Sequence, residues 1–359
     1  MRVVRWRSGR VLGERRRWRG AIEYEVRIER RGPDDPDTVR ALAYPDLVGT
    51  PQPGDRVLLN VTALALGLGT GGYALVVAVP DRLPADPTGP GHVVKARYTP
   101  LQTVVQAVDE PGAPHRDAIA DADDLAGMPV VLADLHSALP AVLAAIPAGV
   151  SVAYLMTDGG ALPAGFSRTL DALSDRLCGT VTAGQAYGGD LEAATVHSGL
   201  LACRYALGAA ITVVAQGPGN LGTGTRWGYS GVAVGEAVNA VAALGGRPVG
   251  SLRISDADPR PRHRGVSHHS QTAYGRVALA AADLVVPTGL PPALAERVAA
   301  DLRGLPDRHR IVEVDSTGLL DALRASPVRL STMGRGLAED TAYFLAAAAA
   351  GRYAARLLD

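Results

Sequence analysis

Between Ile22 and Glu29 apolar and charged side chains alternate, with Ile22, Tyr24, Val26 and Ile28 set against Glu23, Glu25, Arg27 and Glu29. Period two is the signature of a strand with one wet face. Further strands are predicted at Thr38–Tyr44, Arg56–Thr62 and Tyr73–Val79, separated by the turn signals Gly32-Pro33 and Pro53-Gly54-Asp55. Residues 1–85 are therefore expected to form a small β barrel or sandwich. Residues 86–125 are rich in Pro, Asp and Gly and read as a linker with one strand near His92–Tyr98.

From about Pro129 the pattern becomes strand, loop, helix, repeated. Strands are predicted at Val130–Asp134, Ser151–Thr157, Gly179–Ala183, Ile211–Ala215, Val249–Ile254, Leu284–Pro287, Ile311–Val314 and Val328–Ser331. Helices are expected between them at Leu139–Ala145, Phe166–Arg176, Leu191–Leu207, Val232–Leu244, Thr272–Ala281, Pro292–Leu302 and Thr317–Ala325, with an alanine-rich stretch, Leu337–Leu358, closing the chain. Such alternation predicts a doubly wound, mostly parallel, Rossmann-like α/β domain over residues 126–359.

Composition narrows the function classes. The 36 basic and 36 acidic side chains among 359 residues cancel, so no global field recruits nucleic acid or an anionic membrane. Arg15-Arg16-Arg17-Trp18-Arg19 is a local basic run, but neighbouring glutamates dilute it and it reads as a solvated loop. Lys95 is the single lysine, which removes most Schiff-base and Walker-type chemistry. Two cysteines, Cys178 and Cys203, make neither a disulfide framework nor a zinc cluster. The uncharged stretches Val57–Pro80 and Ser137–Thr157 are broken by glycines or prolines and read as paired short elements, not as membrane spans. The segment after Met1 has no apolar h-region, so a cytoplasmic protein is expected.

Ligands in open α/β sheets bind beyond the carboxyl ends of the strands, where this chain repeatedly places polar, glycine-rich loops. The densest is Arg253–Ser270, in which residues 256–269 hold three of the eight histidines, two aspartates and three arginines. Imidazole and carboxylate together suit zinc, manganese or iron. Asp256, His263 and His268 are the expected metal ligands and His269 the expected acid–base. Without metal, Asp256 and Asp258 would pair with the arginines while the histidines cap the following helix.

Gly217–Thr225 has the composition of an anion cradle: Gly217, Gly219, Gly222, Thr223, Gly224 and Thr225 are the candidate contacts, with Arg260 and Arg262 supplying charge. It is not a Walker A loop, because no lysine follows the last glycine. Asp158, before Gly159-Gly160, is a further catalytic candidate; Asp190, Glu192 and the pair Asp134–His136 end other strands on the same rim. For each the alternative is a helix cap or other local structural use.

As a set, Met156–Pro163, Thr182–Glu192, Gly217–Thr225 and Arg253–His269, with Gly54–Asn60 and Leu66–Gly72, resemble an uncharacterised bacterial protein family, a domain of unknown function. The resemblance covers nearly the whole chain and implies membership alone, without an activity or a catalytic residue. The residues themselves lead to an expected metal-assisted or His-mediated enzyme, hydrolytic in class, acting on a small anionic metabolite. The alternatives are a non-catalytic nucleotide or phosphate-binding protein and a two-domain scaffold that assembles with itself.

Overall fold

The computed structural model describes residues 4–30, 32, 35–69 and 71–359. The chain forms two compact units, one of Met1–Pro90, Val94–Val105 and Gly165–Asp171, the other of Gly91–Val93, Gln106–Ala164 and Ala172–Asp359.

The first unit is a closed five-stranded barrel. Its strands are β1 (Trp6–Trp18), β2 (Ala21–Ile28), β3 (Thr38–Ala43), β4 (Arg56–Asn60) and β5 (Ala74–Ala78), in the order β1-β2-β3-β5-β4. Strands β3 and β5 run parallel and the other pairs antiparallel. Closure depends on β1, which pairs with both β2 and β4 and shifts register between Val11 and Gly13 and between Glu14 and Arg16. Such bulges bend a strand enough to serve two neighbours. The alternation in β2 survives folding: Ile22, Tyr24, Val26 and Ile28 enter the barrel core with Val11, Val57, Leu59 and Val76.

The basic run is a strand end, not the expected loop. Arg15 lies 3.5 and 3.6 Å from Glu23 and Glu25, and Arg17 lies 2.7 Å from Glu14. These pairs explain how so many arginines fit on one strand. A second apolar cluster, Trp18, Ala21, Leu42 and Tyr73, packs with Tyr44 and Phe166. The Trp18 indole N–H donates to the Gly165 carbonyl at 2.7 Å, and the Arg19 N–H donates to Asp171 at 3.0 Å. The segment Gly165–Asp171 thus belongs to the barrel unit. It holds only a 3₁₀ turn and the start of a five-residue helix where one longer helix was expected.

The second unit carries an eight-stranded, all-parallel sheet. Its strands are β6 (Pro129–Leu132), β7 (Val152–Thr157), β8 (Gly179–Ala183), β9 (Leu191–Ala193), β10 (Ile211–Gln216), β11 (Arg247–Ser251), β12 (Asp283–Pro287) and β13 (Arg310–Val314). The order is β9-β8-β7-β10-β6-β11-β12-β13. The helices used below are α1 (Leu139–Ala144), α2 (Val196–Leu201), α3 (Ala233–Ala243), α4 (His268–Thr272), α5 (Pro292–Leu302), α6 (Leu319–Arg324) and α7 (Thr341–Arg356). Helix α7 packs on α1, α6 and strands β6, β11 and β12, while α3 packs on α2 and the segment after α4, so the sheet is doubly wound. The alanines of α7 let it approach α1: a Cβ at Gly351 would collide with the Val142 carbonyl.

Three further expected elements differ. In place of a helix over Thr272–Ala281, α4 ends at Thr272 and a π segment, Ala273–Val277, follows. Leu191–Leu207 is a short strand followed by α2, which Thr195 caps by accepting the Ser198 N–H. Val328–Ser331 stays outside the main sheet; Ser331–Thr332 instead pairs with Arg335–Gly336 in a small hairpin. Among the described residues, no helix is long and apolar enough to cross a membrane.

Candidate metal centre

From β6 the chain turns toward β7 on one side, whereas from β11 it turns toward β12 on the other, although β6 and β11 are neighbours. Diverging connections of this kind open a crevice at the carboxyl ends of the two strands. The loop after β6 brings Asp134 to it, and the loop after β11 brings the histidines.

That second loop is held at many points. Ile254–Ser255 pairs with Gly265–Val266. Gly265 has φ +75° and lies so close to α5 that a Cβ would meet Asp301 and Arg297, a conformation and approach that favour glycine. The Val266 N–H donates to Asp301 at 2.9 Å. The Ser267 N–H donates to the Arg253 carbonyl at 2.8 Å, and the Arg253 N–H donates to Ser270 Oγ at 2.9 Å. Ser267 caps α4 by accepting the His269 N–H at 3.2 Å.

Behind the loop, the fully buried Asp258 accepts from Arg260 through two side-chain bonds of 2.9 and 2.8 Å, and from Arg335 at 3.2 Å; Arg253 lies 3.4 Å away. The hydrogen bonds from Arg260 hold its carboxyl far below the ordinary range although burial acts in the opposite direction. Arg335 also reaches Asp340, which accepts from Ser255. This network fixes the loop, and it engages Arg260, one of the arginines expected to bind an anion.

The three imidazoles meet. Ring centroids lie 4.8 Å apart for His263–His268, 4.8 Å for His263–His269 and 4.4 Å for His268–His269, and one ligand atom from each falls within 4.8 Å of the others. His263 Nδ1 is 2.7 Å from Ser267 Oγ; in the tautomer whose Nδ1–H donates there, Nε2 keeps its lone pair for a ligand. Tyr229 stacks on His269, with centroids 3.7 Å apart and planes at 4°, while its hydroxyl donates to the His269 carbonyl at 2.7 Å. Burial, reinforced by Arg253 and Arg260, lowers His263 to about 2, and burial with His269 and Arg262 lowers His268 to about 4. Both rings are therefore neutral near pH 7, the form that ligates metal.

Asp134 is buried, and its Oδ2 lies 3.8 Å from His269 Nδ1. Asp134 Oδ2, His268 Nε2 and His269 Nδ1 are buried without a hydrogen-bond partner among the described residues, as is Gln216 Oε1. Gln216 spends its amide N–H groups on the Asp134 carbonyl and Asn220. A void of about 10 Å³ lies between Asp134, Thr157, Gln216 and Ser230, the size of one water. Imidazole nitrogens on one first-row ion stand ~2.1 Å from it and so no more than ~4.2 Å apart. Closing the trio from 4.8 Å takes a shift of several tenths of an ångström.

The other expected site residues are elsewhere. Asp256 is exposed and beside Asp340, outside the histidine group; Asp134 is the carboxylate that approaches it. Asp158 accepts the Gln185 N–H at 2.8 Å and Asp190 the Thr180 N–H at 2.8 Å, while Glu192 accepts from Thr182 and Gly188. All three hold loops or strand ends. His136 is buried against Tyr154 at 2.9 Å and lowered to about 4 by burial.

Gly217–Thr225 opens a hairpin arm, exposed from Leu221 to Thr225, in which several backbone N–H groups are already bonded. The N–H groups of Gly217, Leu221 and Thr223 donate to Thr157, Ser230 and Gly228. Gly219 and Gly224 take positive φ, Gly222 pairs with Tyr229, and Thr223 and Thr225 bond to each other. Arg226 and Trp227 form the tip. Arg262 reaches the arm, its guanidinium 3.6 Å from a Cβ built on Gly224.

A family model described as "Protein of unknown function (DUF3866)" matches residues 40–351. No curated protein and no solved structure matches the chain.

Proposed function

We propose that this chain, which belongs to the DUF3866 family, is a divalent-metal hydrolase acting on a small anionic substrate. The carrying observation is the convergence of His263, His268 and His269 with three buried polar atoms, on Asp134, His268 and His269, that lack a hydrogen-bond partner among the described residues. Each such atom costs about 1–3 kcal/mol when left unpaired, and one cation held by the histidines would pair the ring nitrogens and attract the Asp134 carboxylate beside them.

His263, His268 and His269 would hold zinc, manganese or iron, and the bound metal would supply a hydroxide near neutral pH. Ser267 orients His263, Tyr229 fixes the plane of His269, and Asp134 sits where it can take a proton from water entering beside His269. The runner-up, a phosphate-binding protein without chemistry, shares the arginines but leaves the trio unexplained.

Elemental analysis of the purified protein decides between them. One equivalent of a divalent first-row metal is expected, falling below a tenth in His263→Ala. A metal-free protein that gains no thermal stability from added zinc, manganese or iron would overturn the hydrolase reading.

A further inference from the structure

The helix that carries His268 and His269 does not continue as an α-helix. After Thr272 it widens into a π segment, Ala273–Val277, a local form common at functional sites. The widened turn sets Arg276 beside Gln271 and Thr272 in a pocket of about 380 Å³ that His268 also lines. Arg226 enters the same pocket from the hairpin arm, and Gly304, Leu305 and Pro306 line it too.

Among the described residues, no carboxylate lines this pocket. Arg226 and Arg276 have no acidic partner among the described residues, unlike Arg253, Arg260, Arg310 and Arg335. Two unneutralised guanidiniums on one small cavity favour a doubly charged, multidentate anion over a carboxylate, because planar forks match phosphate oxygens in pairs. The volume exceeds what inorganic phosphate fills and falls at the low end for metabolite pockets.

We propose that the substrate is a small phosphate ester, its phosphate held by Arg226 and Arg276 and its phosphorus turned toward His268. The chemistry rests on the metal-hydrolase reading above; the binding claim does not. In the reaction a water oxygen forms a new P–O bond and the ester P–O bond breaks. One proton of the water ends on the departing alcohol and the other stays on the phosphate.

The test is calorimetric titration of inorganic phosphate into the full chain, metal-loaded and chelator-treated, in wild type, Arg226→Ala and Arg276→Ala, with acetate as the competing anion. Both arginines are exposed, and a far-UV spectrum checks that each variant is folded. Phosphate is expected to bind wild type, to weaken about 10- to 100-fold in each variant, and to resist displacement by acetate. Phosphate affinity unchanged in both variants, absent from wild type, or matched by acetate would overturn the proposal. Arginine-dependent phosphate binding in a protein that takes up no metal would uphold the binding claim alone and sink the hydrolase reading, and with it the ester hydrolysis. Stoichiometric metal without arginine-dependent phosphate binding would do the reverse.

Discussion

His268 contributes a buried, unpartnered Nε2 at the end of an otherwise well-bonded loop. Natural proteins retain such atoms where function needs them, at a cost in stability. Replacing it with phenylalanine, of similar shape but without the nitrogens, should therefore act in opposite senses on two readouts. Metal-free His268→Phe is expected to be as stable as wild type or about 1 kcal/mol more stable in urea unfolding, whereas zinc should no longer raise its melting temperature. A large loss of stability in the metal-free variant would mean that the ring nitrogens have structural partners after all. Acid titration follows from the same neighbourhood. Burial lowers His136 to about 4, His268 to about 4 and His263 to about 2, against an unfolded value of about 6.5. Below pH 6.5 the unfolded chain binds protons that the native one refuses, so stability is greatest above that value and is lost as pH falls toward 4, with His263 extending the loss toward 2. Each group contributes a slope of at most about 1.4 kcal/mol per pH unit. The chelated protein should thus unfold at clearly lower urea at pH 5 than at pH 7, and a midpoint independent of pH across that window would refute the assignment of neutral buried imidazoles.

At the scale of elements, the loops after β7 and β10 depend on backbone meeting backbone. The Ala161 N–H donates to the Pro218 carbonyl at 2.8 Å and the Gly217 N–H to Thr157 at 3.1 Å. A Cβ at Gly160 would collide with the Gly217 carbonyl, whereas one at Gly222 meets none of the described residues within 4 Å. Gly160→Ala is expected to destabilise the α/β unit by about 1–3 kcal/mol, and Gly222→Ala to change it by less than about 0.5 kcal/mol; urea unfolding of both variants measures the contrast, and equal effects would contradict it. Glycine-rich composition announced a special loop here but not which of its glycines is pressed against another chain segment. Much else at this scale was readable. The alternation of Ile22–Glu29 and the apolar runs ending at Thr157, Ala183 and Pro287 became strands because local pattern and tertiary position agree. Strand β1 escaped because Glu14-Arg15-Arg16-Arg17 masks its period, the charges being paired with glutamates within β1 and on β2. The site was half legible. Three histidines in one short loop are visible as a cluster, but nearness in sequence points to Asp256 as their carboxylate. Asp134 is near only because β6 and β11 are adjacent in the sheet, and strand order is fixed by tertiary pairing that no local pattern records.

For the whole molecule, the decisive fact is that the chain leaves the barrel unit, builds the first strands of the α/β sheet, and returns to the barrel at Gly165–Asp171 before continuing. The barrel is therefore not a contiguous piece of sequence, although most of its core lies before residue 90. The returning segment supplies Phe166 to the cluster around Trp18, the carbonyl that accepts the Trp18 indole N–H, and the carboxylate that accepts the Arg19 N–H. A fragment of residues 1–105 keeps the fifteen-residue inner core from Val11 to Val79 and should fold, but Trp18, now 8% exposed, would lose its cover. Burial of a large aromatic side chain is worth roughly 1.5–3 kcal/mol and a net hydrogen bond about 1 kcal/mol, a large share of the stability of so small a domain. The fragment is expected to show red-shifted tryptophan emission relative to the barrel in the full chain and a melting temperature lower by several degrees. Adding a synthetic peptide of residues 163–173 in excess should shift the emission back, because it restores both Phe166 and the Gly165 carbonyl. Emission and melting that match the barrel in the full chain without the peptide would mean that the segment is carried by the barrel without stabilising it.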